Sequence, residues 1–274
     1  MLLSAGANYY CSDDHEFWNN APNFGVVGFA NTLTPGQRSW WFEEGRKLFR
    51  VFQSPASMQG FEVGEGPQNI SVKVVDTRID RYPSWVRFML HENLQELKSW
   101  IAGLGGPGVL VLGQPLLESE GRPKLADRIT SVFDKSLSYY GQYAELVESV
   151  KESNHSIVVL TGDVHFGRIA HGGRNADGTT GFIEVISSPM CHVTGASNSG
   201  YKPARTPDGW APLSSTNPFV GNAHRNHFAT LRFSKNADGR TVDLSVDYWP
   251  VLKATGISEA GTMKPACTSG FRLF

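Results

Sequence analysis

Asp13, Asp14, His15 and Glu16 stand side by side in YYCSDDHEFWNN, residues 9–20, with two asparagines close behind. These side chains can ligate a metal or move a proton. Taken alone, the run reads as a solvated turn, because Asp and Asn favour turns and helix starts. A second segment changes its weight. In LTGDVHFGRIAHGG, residues 160–173, the apolar run Ile157–Leu160 delivers Asp163 and His165 at the carboxyl end of a buried strand. Ligands bind at that end in open α/β sheets. One carboxylate and one imidazole two residues apart can point to a common centre, and hard oxygen with borderline nitrogen suits divalent or trivalent transition metals. The alternative is that Asp163 caps a turn and His165 satisfies a backbone carbonyl.

The elements that must position these residues follow from pattern. Thr34, Pro35 and Gln37 form a capping-box signature with proline at the first helical position, and the helix running to about Phe52 places Trp41, Leu48 and Phe52 on one face, which predicts core packing. Residues 53–70, rich in Gly, Pro, Ser and Gln, read as a loop, and SVKVVDTR (71–78) as a buried strand. Leu94, Leu97, Ile101 and Leu104 recur at helical spacing. GLGGPG (103–108) precedes the strand GVLVLG (108–113), so its glycines read as a helix cap and tight turn; a phosphate cradle would follow a strand. A helix over about 138–152 leads into SIVVLTGD (156–163). This alternation predicts a mostly parallel sheet.

After His165 the texture becomes antiparallel. Short strands at 181–189, 227–233 and 240–249 lack intervening helices, and NADG turns at 175–178 and 236–239 join neighbours as hairpins. Residues 194–223 read as a long loop excursion within a single domain spanning 1–274. The tail from Lys253 shows no clear period.

Composition sets the outer limits. With 274 residues, 40% of them hydrophobic, the chain can bury a large core. Lys and Arg total 25 against 26 Asp and Glu, so no charge excess recruits nucleic acid or an anionic membrane. Cys11, Cys191 and Cys267 are odd in number and lack CxxC spacing, which argues against a disulfide framework or structural zinc. Neither a signal peptide nor an apolar run long enough to span a membrane is visible, so the sequence as written reads as cytoplasmic. A serine hydrolase has little support without GxSxG.

In order and spacing, DDHEFWNN, VVDTRIDR, VLVLGQPLL and VVLTGDVHFGRIA resemble the PhoD-like branch of the calcineurin-like metallophosphoesterases across essentially the whole chain. The resemblance implies an α/β fold: a β-sandwich flanked by helices in αββα layers, parallel in its first half and antiparallel in its C-terminal half. It places Asp14, Asp163 and His165 at metal-ligand positions and His15 at the catalytic position. Gln114 falls where relatives carry a metal-binding histidine, although an amide oxygen is a poorer ligand and a turn residue before Pro115 is an equal reading. Arg78 also matches a family pattern, and an ion pair with Asp76 or Asp80 explains it as readily.

Implied with the family are iron, calcium, manganese or zinc ions and a small phosphoester substrate. Hydrolysis of phosphomonoesters or phosphodiesters would use a metal-activated hydroxide, with His15 beside the leaving oxygen and Glu16 orienting it. The family's first two metal motifs, upstream of DDHE, have no counterpart here, and the expectation is that the first β-α-β unit is missing. Two consequences are expected: self-association through an uncovered sheet edge, and, as the alternative function, a catalytically impaired remnant with a binding or regulatory role.

Overall fold

A computed structural model describes residues 6–12, 17, 34–54, 56–81, 86–120, 136–174, 178–188, 201–219, 226–251 and 264–274. Helix α1 spans Pro35–Phe52. Its capping box forms as the sequence predicts: the Gln37 N–H donates to Thr34 Oγ1 at 3.3 Å, and the Thr34 N–H donates to Gln37 Oε1 at 2.9 Å. The inward face differs from the expected one. Trp41, Leu48 and Phe52 are 40%, 59% and 80% exposed, whereas Phe49 is buried against Phe17 and Ile79, with Phe42 packed beside them. Phe42, Arg46 and Phe49 are also helically spaced, one residue out of step with the first stripe. Arg46 decides the rotation, because its guanidinium lies 2.5 Å from the buried Asp80 carboxylate.

Strands β1 (Met58–Val63), β2 (Ile70–Val75), β3 (Gly108–Leu112), β4 (Ile157–Thr161), β5 (Arg168–Arg174), β6 (Thr180–Ile186) and β7 (Ser214–Thr216) build one sheet in the order β1-β2-β3-β4-β6-β5-β7. Its centre, β2, β3, β4 and β6, is parallel, while β1, β5 and β7 run antiparallel to their neighbours. The two innermost of these, β3 and β4, are buried on both faces along almost their whole length, as their apolar runs GVLVL and IVVLT require. Helices α2 (His91–Ala102) and α3 (Tyr143–Lys151) pack on one face through Leu94, Leu97, Ile101, Leu146 and Val150. Each such side chain contributes about 1.5–3 kcal/mol of burial. The Gln142 side chain ties the two helix starts together, accepting from the N–H groups of Phe88 and Met89 and donating to the Met89 carbonyl. At the α2–β3 turn a Cβ on Gly106 would come within 2.4 Å of the Asn69 carbonyl oxygen, so its glycine serves close backbone approach.

The other face carries a three-stranded antiparallel sheet in the order β10-β9-β8, formed by β8 (His227–Lys235), β9 (Val242–Pro250) and β10 (Cys267–Leu273). Val109, Val158, Ile169 and Ile183 of the large sheet meet Val242, Leu244, Val246, Tyr248 and Leu273 of the small one, completing the sandwich. The Tyr248 hydroxyl reaches the carbonyls of Ile186 (2.6 Å) and Arg168 (3.0 Å), locking the sheets together near the β5–β6 hairpin.

Three stretches depart from their expected character. Within 53–70, β1 pairs along β2, so β2 is not an edge strand and the sheet ends at β1 and β7. Strand β1 escaped notice because its MQGFEV is polar and only partly buried, as edge strands are. Within 194–223, Ala204 bridges Ser119 and β7 joins the sheet beside β5, so this stretch is partly built into the fold. Within the tail, β10 alternates inward Cys267, Ser269, Phe271 and Leu273 with outward Thr268, Gly270 and Arg272. Serine and glycine had diluted that period of two.

Candidate functional site

Three parallel strands, β2, β3 and β4, end side by side, and the loops that leave them carry Asp76 to Arg81, Gln114, and Asp163 with His165. Asp76 organises the first loop. Its carboxylate accepts the backbone N–H groups of Arg78 and Ile79 at 2.8 Å each, along with the N–H (2.7 Å) and hydroxyl (2.8 Å) of Ser12. With four donors it holds the turn, and its pairing with Arg78 runs through the backbone instead of the guanidinium. The Arg78 guanidinium turns to Asp163, with Nη2 3.0 Å from Oδ2, and its side chain is 1% exposed. That partner is neither Asp76 nor Asp80, the two expected from sequence.

Gln114 sits between. Its Nε2 donates to the same Asp163 Oδ2 at 2.6 Å, and its Oε1 accepts from Arg81 Nη2 at 2.5 Å. A carboxylate only accepts and a guanidinium only donates, so the amide orientation is fixed by its two neighbours. Arg78, Asp163, Gln114 and Arg81 are thereby linked across the ends of three strands, and the Arg81 N–H closes the ring by donating to the Arg78 carbonyl at 3.0 Å. Sequence reasoning missed Arg81 altogether. A guanidinium in DTRIDR carries no periodic signal, and its partner lies on a loop distant in sequence.

Local geometry holds Asp163 and His165 in place. Both adopt left-handed backbone, at φ 69° and 60°. The Val164 N–H donates to the Gly162 carbonyl at 3.0 Å, closing a three-residue turn centred on Asp163. Non-glycine residues at positive φ cost on the order of 1–3 kcal/mol, and such strain clusters at functional sites. Just downstream, Arg168 forms a fully buried ion pair with Glu184 (2.6 Å). Both members grip Leu117: Arg168 Nη2 donates to its carbonyl at 3.0 Å, and Glu184 Oε1 accepts its N–H at 2.9 Å. The loop that carries Gln114 is thus clamped three residues beyond it.

Asp14 and His15 lie outside the described residues. So do Asp13 and Glu16, whereas Ser12 and Phe17, which flank the run, are described. Ser12 is anchored on Asp76, and its carbonyl passes so close to Gly113 that a Cβ there would lie 2.9 Å away. Phe17 packs against Ile79, and its carbonyl accepts from Trp41 Nε1 at 3.1 Å.

No protein-family model matches the chain, and no curated protein matches it. A solved structure titled "Structure of PhoD" does match, with a TM-score of 0.54 over 95% of this chain and 52% of its own, at 14% identity. The fold is PhoD-like. The chain spans about half the length of that structure, and the likeness speaks to fold alone. A PhoD-like fold carrying DDHE and GDVH motifs raises the question of metal binding, which the donor set answers in part. Among the described residues, no group of three or more His, Cys, Asp or Glu side chains could hold a metal ion. The donors at the expected position, Asp163 and Gln114, are engaged by guanidinium groups. By themselves the described residues do not fit a metal. No described helix is long and apolar enough to cross a membrane.

Proposed function

We propose that this chain acts on phosphomonoesters or phosphodiesters at the carboxyl ends of β2, β3 and β4. The observation that carries the reading is the convergence of Gln114, Asp163 and the Asp76–Arg81 turn there, within a PhoD-like fold. His15 is assigned to the leaving oxygen as its acid, which fits the anchoring of Ser12 and Phe17 on the same turn. Asp14 is assigned to join Asp163 and His165 as a metal ligand, with iron, calcium, manganese or zinc as the candidate ions. The small phosphoester is the expected partner, and self-association is assigned to β1 and β7, the outer edges of the large sheet.

A second reading has its own support. Arg78 and Arg81 already compensate the polar side chains where a cation is expected, which favours an impaired protein with a binding or regulatory role. Release of p-nitrophenolate from p-nitrophenyl phosphate and bis(p-nitrophenyl) phosphate, measured with each of the four metals and with chelator, separates the two. The first reading expects slow turnover that His15→Ala abolishes while leaving metal occupancy unchanged. Turnover indifferent to His15→Ala and to Asp163→Asn removes it. Absence of turnover with retained binding of inorganic phosphate supports the second.

A further inference from the structure

The mismatch between Asp163 and a metal has a specific cause in this chain. A buried carboxylate without a counter-charge is expensive, and a site waiting empty for a metal would bear that cost continuously. Here the counter-charge is built in. Arg78, 1% exposed, lies 3.0 Å from Asp163 Oδ2, and Gln114 donates to the same oxygen at 2.6 Å. Gln114 is in turn fixed by Arg81, so the ring holds the carboxylate from two sides. A cation arriving at Asp163 meets a guanidinium only a few ångströms away, inside a medium that screens poorly.

We infer that Arg78 is a resident counter-ion that competes with metal for Asp163, acting as a positioning residue that sets the affinity of the site. The inference rests on the metal-binding part of the proposed function and is independent of turnover. Asp163 cannot give both cations the same oxygen. Metal uptake must therefore displace Arg78 from Oδ2 or use the other carboxylate oxygen beside the guanidinium, and in either case the resident positive charge lowers the affinity measured. A purely structural Arg78 predicts that its removal weakens the site; a competing Arg78 predicts the reverse.

Titration calorimetry of the whole 274-residue chain with manganese(II) chloride, after chelator removal, tests this in wild type and Arg78→Gln. The variant is expected to bind Mn²⁺ at least about tenfold more tightly, since Coulomb repulsion between neighbouring cations is removed. It is also expected to melt several degrees lower without metal, and to recover more on saturation with Mn²⁺ than wild type gains. Arg78→Lys, which keeps the charge, should stay within a few-fold of wild type. The added affinity should vanish in Arg78→Gln/Asp163→Asn.

Equal or weaker Mn²⁺ binding by Arg78→Gln overturns the inference, as does a gain that survives Asp163→Asn or appears equally in Arg78→Lys. Should Arg78→Gln fail to fold, the wild type decides: its Arg78 side-chain NMR signals should shift as diamagnetic Zn²⁺ binds. Zn²⁺ binding without that shift, or no binding at millimolar metal, overturns the inference too. Calorimetry reads metal alone, so this failure is distinct from a failure of p-nitrophenolate release.

Discussion

Among the described residues, Gln114 binds Arg81 and Asp163, and Asp163 binds Arg78, so single substitutions there act on a connected network. Asp163→Asn keeps the shape but leaves Arg78 buried beside a neutral amide. Removing one partner of a buried pair costs about 3–5 kcal/mol. The Asp163 side chain is 12% exposed, which places the loss near the lower figure. Chemical denaturation in chelator should show this loss without any metal present. A merely metal-ligating Asp163 would leave metal-free stability unchanged. At this scale the sequence was legible where a functional residue ends an apolar run: Asp163 follows Ile157–Leu160, and Gln114 follows Val109–Leu112. It was opaque for Arg78 and Arg81, whose partners are set by how separate loops cross.

Elements obeyed their local signals more faithfully than their orientations. The Thr34 cap, the Leu94–Leu97–Ile101 stripe and the buried runs of β2, β3 and β4 all formed where pattern placed them. Helix α1 turned a different face inward, because an aromatic-rich helix offers two stripes and Asp80 selected the one containing Arg46. The clamp on the Gln114 loop makes a prediction of the same kind. Glu184→Leu strands Arg168 and the Leu117 N–H, and should destabilise by about 3–5 kcal/mol in urea denaturation. Adding Arg168→Met should recover part of that loss but not all, since the Leu117 peptide remains without its partners.

The β8–β9 hairpin adds a pH dependence. Hydrogen bonds from the Thr241 hydroxyl, then from the Thr241 and Arg240 N–H groups, push the Asp238 carboxyl down to about 2. A depressed carboxyl contributes stability that is present above its unfolded value of about 3.9 and lost as pH falls through the folded value. NMR titration should place the Asp238 midpoint near 2. Asp238→Asn should remove the loss of hairpin order between about pH 4 and 2.

At the scale of the whole molecule, the last strand joins the inter-sheet core to the strand that leads to the candidate site. β10 covers β9 through seven paired positions, inserts Leu273 and Phe271 into the core between the sheets, and passes directly to Phe274. The Phe274 carbonyl accepts the Ser156 N–H at 2.6 Å, and its own N–H donates to Ser156 Oγ at 2.8 Å, immediately before β4. The far end of β4 holds Asp163. The C-terminal strand therefore braces the strand that positions the candidate site. Leu273→Ala should cost about 2–5 kcal/mol, the range for a fully buried leucine in a core that relaxes little. By contrast, Thr34→Ala, which removes only a helix cap, should cost about 1 kcal/mol. Deleting residues 267–274 goes further: it bares the whole edge of β9, an aggregation template, and opens the inter-sheet core to water. The truncated chain is expected to elute as aggregates in size-exclusion chromatography and to lose its cooperative thermal transition. A truncated monomer that melts like wild type would show that the sandwich closes without β10 and that β4 needs no brace at Ser156.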